Sequence, residues 1–126
     1  MRKPLKTILL DVKNETVSTI EVEDNLDSFY EKLDCDLFDI VTRKIGGKYF
    51  DVMCDDEGLF NDPKISAIDN YGEIMFVGNL MFFHEDNDGN LVSLSDDDIK
   101  HIKKYIQKMC TKEFPNGYPM LTQCEY

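Results

Sequence analysis

The sequence predicts a single α+β domain: a mostly antiparallel sheet built from hairpins and carrying two helices. Three observations support this. The runs Pro4–Val12 and Thr16–Val22 have strand character and are separated only by Lys13-Asn14-Glu15, which reads as a hairpin. The β-rich run Leu37–Ile45 meets a returning run, Lys48–Cys54, across Gly46-Gly47, a loop able to take positive φ at both positions. Ser95 followed by three aspartates then opens a run with helical period.

The elements follow in order. After the first hairpin, Asp24 is expected to cap a short helix over about 25–33. Leu26, Phe29, Tyr30 and Leu33 share its inner face. Behind the second hairpin, Asp55-Asp56-Glu57-Gly58 is a charged turn, and Asn61-Asp62-Pro63 breaks the chain again. Ile65–Ile68 is a short strand or irregular edge. Ile74–Val77 and Leu80–Phe83 read as one strand with a bulge at Gly78-Asn79. Glu85–Asn90 is a tight polar turn into Leu91–Leu94. Ser95 as N-cap, with Asp98 as its capping-box partner, then begins a helix over about 96–109. Its stripe is Ile99, Ile102, Tyr105, Ile106 and Met109, and lysines crowd its later turns. The expected domain spans 1–110. Residues 111–126, with two prolines and a glycine, read as an irregular C-terminal tail.

Length and charge narrow the function classes. A chain of 126 residues and 14.6 kDa suits one domain. A hydrophobic share of 42% against 31% charged excludes a disordered or membrane-embedded chain. The N-terminal apolar run is too short for a signal-peptide core, so a cytoplasmic protein is expected. The formal net charge is −11. Residues 15–98 hold 22 acids and five basic residues, between two mildly basic ends. Direct binding to nucleic acid or to an anionic membrane is therefore disfavoured. Those acids equal the phosphates of about eleven base pairs, so nucleic-acid mimicry is numerically open if they gather on one face.

Enzymatic and metal signals are weak. Cys35, Cys54, Cys110 and Cys124 lack paired ligand spacing, so no metal or other cofactor is expected. Cys35 and Cys54 read as small buried hydrophobes, Cys110 and Cys124 as tail residues. Around Gly89, the EF-hand positions for the first and last ligands hold His84 and Ser95, so Glu85–Asn90 is a turn rather than a calcium loop. His84 and His101 have no nucleophile in context and read as surface residues. No phosphate-binding glycine motif occurs, and no catalytic residue is assigned.

The stretches IGGKYFDVMCDDEGLF, PKISAIDNYG, VGNLMFF and DGNLVSLSDDDIKHI resemble a phage and mobile-element family of small proteins classed as a domain of unknown function. The resemblance covers roughly residues 5 to 107, including Gly46, Gly47, Asp56, Glu57, Gly58, Gly78, Asn79 and Ser93–Asp98. It implies a mobile-element origin, and some proteins of this look are similar to anti-CRISPR inhibitors of the type II effector nuclease. On that basis the expected activity is non-enzymatic, in the bacterial host cytoplasm. The protein would bind a basic, nucleic-acid-holding surface of a CRISPR effector and block DNA loading or target recognition. Expected contacts are Asp55, Asp56 and Glu57 in one loop and Glu85, Asp86 and Asp88 in another. Two alternatives stand beside it. One is a sponge for a nucleotide signal, using Arg43, Lys44 and Lys48. The other is a phage accessory protein without enzymatic activity.

Overall fold

The computed structural model describes residues 3–56 and 64–126. In chain order the elements are β1 (Leu5–Asp11), β2 (Thr16–Val22), α1 (Leu26–Leu33), β3 (Phe38–Ile45), β4 (Lys48–Asp55), β5 (Ile65–Ile68), β6 (Ile74–Val77), β7 (Leu80–Glu85), β8 (Leu91–Val92), α2 (Asp96–Lys104), β9 (Ile106–Met109), β10 (Tyr118–Leu121) and β11 (Cys124–Glu125). They form two sheets. The larger has the order β11-β3-β4-β7-β1-β2, with β8 beside the end of β7, and the smaller has the order β6-β5-β10-β9. All pairings are antiparallel except β5 with β10. The α+β expectation holds at this level.

The large sheet is the middle layer. Ile8, Leu10, Phe50, Val52, Leu80 and Phe82 point from it toward Met120, Leu121, Ile99 and Ile102 of the small sheet and α2. Leu5, Val22, Met53, Met81 and Phe83 point the other way, onto Phe29 and Leu33 of α1. Strands buried on both faces lose the alternation of a half-buried strand, which explains the unbroken apolar run Leu80–Phe83. Where β1 and β7 part, the buried Thr7 hydroxyl stands in for ladder bonds. It donates to the Phe82 carbonyl and accepts the Phe82 N–H at 3.1 Å.

Both expected hairpins form. Gly46 and Gly47 take φ of 54° and 88°, and β3 pairs with β4 from Ile45↔Lys48 to Phe38↔Asp55. Helix α1 is capped by Asn25, whose side chain accepts the Ser28 N–H at 2.8 Å, rather than by Asp24. Ser95 and Asp98 form the expected capping box of α2.

Three expectations are corrected. First, α2 ends at Lys104 instead of continuing to 109. The Tyr105 carbonyl, which a longer helix would use, is taken by the Thr122 N–H at 2.7 Å and the Thr122 hydroxyl at 2.8 Å. Ile106–Met109 then pairs with β10 as a strand. Second, 111–126 is not irregular throughout: β10 and β11 are strands, and Tyr118, Met120, Leu121 and Cys124 are buried in the core. Third, Gly78 (φ 82°) is not a bulge in one strand but the corner at which the chain leaves the small sheet for the large one.

Candidate functional site

The expected contact residues fall into two groups at opposite ends of the large sheet. Cys54 pairs with Leu80 at the start of β7, whereas Glu85 closes the same strand five residues later. At about 3.3 Å per residue this separates the groups by about 17 Å. That is twice the ~8 Å screening length of physiological salt, so the two groups do not form one patch.

At the far end, Glu85, Asp86 and Asp88 are exposed. Asp86 organises the turn: its carboxylate accepts the N–H groups of Asp88 and Asn90, both at 2.9 Å. The Asn90 N–H bond and the Asp88 bond hold its pKa below the usual carboxylate value. This supports the turn reading of Glu85–Asn90. Beside the turn, Asp98 is buried at the start of α2. It accepts the Ser95 N–H at 3.2 Å, pairs with the Lys48 ammonium and lies 3.0 Å from His84 Nε2. Burial alone would raise its pKa. The Lys48 and Ser95 hydrogen bonds and the His84 charge outweigh burial and lower it to about 2. His84 and His101 are thus half-buried structural residues rather than surface ones. His101 Nε2 sits 2.7 Å from the Ile45 carbonyl, and its ring lies between Phe50 and Tyr105. No sequence spacing links these residues, because they converge from β4, β7 and α2.

At the near end, Asp55 is 7% exposed and pairs with Phe38. Asp56 is exposed, and its N–H donates to the Leu37 carbonyl at 3.0 Å. Glu57 lies outside the described residues. The register brings two further acids here that were not singled out from sequence. Asp39 pairs with Cys54, and Asp36 directly precedes the Leu37 that Asp56 bonds. Burial and nearby carboxylates act together on the two neighbouring thiols. Burial, then the Asp55 carboxylate, raises Cys35 to about 11, and Asp36 adds to it. Burial, then Asp39 and Asp56, raises Cys54 to about 12. Asp36, Asp39 and Asp56 are all exposed, as is Leu37 at 49%. Behind them is a cavity of about 450 Å³ lined by Lys13, Tyr30, Glu31, Asp34, Cys35 and Asp36. Lys13 is held by Asp34, 3.3 Å away, which leaves the rim acidic. The exposed Leu37 thus lies at a strand end that also carries the exposed Asp36, Asp39 and Asp56.

The remaining sequence expectations sort as follows. Arg43 lies against Phe76 and Tyr126, Lys44 against Tyr49, and Lys48 against Asp98, so the three cations do not meet in one pocket. All four cysteines are free thiols. Cys54 is buried as expected, Cys35 is partly buried, Cys110 is exposed, and Cys124 is buried in the core rather than in a loose tail. Among the described residues, no group of three or more Cys, His, Asp or Glu side chains could hold a metal ion. Among the described residues no helix is long and apolar enough to cross a membrane.

These features define a class: a three-layer α+β domain with a two-sided central sheet and an acidic strand end. The chain belongs to the family described as a domain of unknown function, DUF3846, which matches residues 5–108. No curated protein and no solved structure matches it.

Proposed function

We propose that the protein is a non-enzymatic binding module that meets a basic protein surface through the near end of its large sheet. The observation behind this reading is that Asp36, Asp39 and Asp56, all exposed, share one strand end with the exposed Leu37. A net charge of −11 speeds encounter with a cationic partner, and an apolar centre supplies the short-range contact. In its specific form, taken from the sequence resemblance, the partner is a CRISPR effector nuclease of the bacterial host. Its nucleic acid lies in a positively charged channel that an acidic domain can occupy. The contact lies at one strand end, because Glu85–Asp88 is too far away to share it.

A cleavage assay tests this proposal. Added in excess at low salt, the protein should slow DNA cleavage by a guide-loaded type II effector nuclease, and rising salt should relieve the inhibition. Full cleavage, with no complex detectable at low salt, would remove the specific form. The nucleotide-sponge alternative has no observation in its favour, since its three cations are engaged separately.

A further inference from the structure

We infer that β2 is a docking edge that accepts an extended segment of a partner protein as an added strand, and that this segment carries Lys or Arg. β2 ends the large sheet, and among the described residues nothing pairs with its outer side. The other sheet ends are protected or short. β6 has four residues and a shifted register against β5, β9 has four with exposed Gln107 and Lys108, and β11 has two. β2 is seven residues long, pairs with β1 without a bulge from Leu5↔Val22 to Asp11↔Thr16, and contains no proline or lysine. Regular edges of this kind are templates for strand addition.

The backbone of the outer edge can be assigned. The Lys6 N–H donates to Ser93 Oγ at 2.9 Å, and the Lys6 carbonyl accepts the Leu94 N–H at 2.9 Å, so Lys6 turns its main chain away from β2. Its partner Glu21 is therefore in a non-hydrogen-bonded pair and turns its own main chain outward. Alternation then gives Val17, Thr19 and Glu21 outward-pointing N–H and C=O groups, while Ser18 and Ile20 bond to β1. Charge selects the occupant. Glu21 is exposed on β2 itself and Glu23 just beyond its end, while the nearby Glu15 is already paired with Lys64 at 3.0 Å, so the charge left along this edge is negative. A second copy of this chain, also at −11, is repelled.

This inference is independent of the near-end reading, because strand pairing at β2 does not use Asp36, Asp39 or Asp56. The probe is an alternating lysine–valine octapeptide, with an equally charged control N-methylated at alternate residues so that it cannot pair. The lysine–valine peptide should slow amide exchange at Val17, Thr19 and Glu21 and bind about tenfold or more tighter than the control. Thr19→Pro removes one outward N–H and should abolish the difference, whereas Ser18→Pro breaks the β1 ladder and should destabilise the domain. Equal binding of the two peptides, or no protection at these three amides, would overturn the inference even if Thr19→Pro fails to fold. A near-end triple variant that still binds the peptide would confirm that the two surfaces are separate.

Discussion

Both ends of the large sheet carry several carboxylates, but the far end ties one of them, Asp98, into a buried ion-pair network. At the far end three acids have defined donors: Asp86 holds its turn, the exposed Asp96 pairs with Lys6 at 2.7 Å, and the buried Asp98 completes the α2 capping box while binding Lys48 and His84, whereas Glu85 and Asp88 are exposed. At the near end Asp36, Asp39 and Asp56 are exposed at the same strand end as the exposed Leu37, and Asp39 accepts the Ile40 N–H at 2.8 Å. Acid count alone therefore does not locate a binding surface. The geometry of each carboxylate's donors does.

The comparison predicts a gradient of stability effects. Asp98→Ala should be the most damaging of these changes, at about 2–4 kcal/mol, because it removes a helix cap and leaves Lys48 and His84 without their partner. Denaturant unfolding measures this, and Asp98→Asn should recover part of the loss by keeping the cap acceptor. A loss under ~0.5 kcal/mol would show that the far end is no more engaged than the near end.

Gly46→Ala comes next. A Cβ there would overlap the Tyr105 ring, at a residue with φ of 54°. We expect a loss of about 1–3 kcal/mol, read as a lower denaturation midpoint, because the ring is held against His101. Gly47 has open space around it, so Gly47→Ala should cost less, through its φ of 88° alone.

The pH dependence is smaller. Asp98 has a folded pKa of about 2 against an ordinary value of 3.8. A depressed folded value contributes stability that is complete above about pH 4 and lost as pH falls from there toward 2. Because Lys48 is about half exposed, the contribution is discounted to roughly 1–2 kcal/mol. Unfolding curves between pH 5 and 2 should show this loss, and Asp98→Asn should remove that part of the slope.

The far end also shows what sequence can reveal and what it cannot. Ser95 and Asp98 are three residues apart, so their capping box was legible. The same Asp98 meets His84 and Lys48, 14 and 50 positions away, and no local pattern records that. The end of α2 was hidden for the same reason, since Thr122 takes the Tyr105 carbonyl from 17 residues downstream. The large sheet was readable because its hairpins carry their own turn residues. The small sheet was not, because β10 enters it from the far end of the chain with Pro119 inside it. That proline is tolerated because β10 meets β5 only at Leu121↔Ala67, which leaves no ladder bond there for Pro119 to donate. At the near end, Asp55 and Asp56 were visible as a turn. Asp36 and Asp39 join them only through the β3–β4 register.

The near end should be the least sensitive to stability changes and the most sensitive to binding changes. Asp36→Lys, Asp39→Lys and Asp56→Lys combined should leave the unfolding free energy within about 0.5 kcal/mol of the parent, as expected for exposed side chains. Its association with a guide-loaded type II effector nuclease should be slower by about tenfold or more at low salt, and the gap should narrow as salt rises. Stopped-flow association of parent and variant at two salt concentrations is the direct measurement. A folded variant that associates more slowly supports the near end as the contact. Equal rates for variant and parent, or no association by either, contradict it.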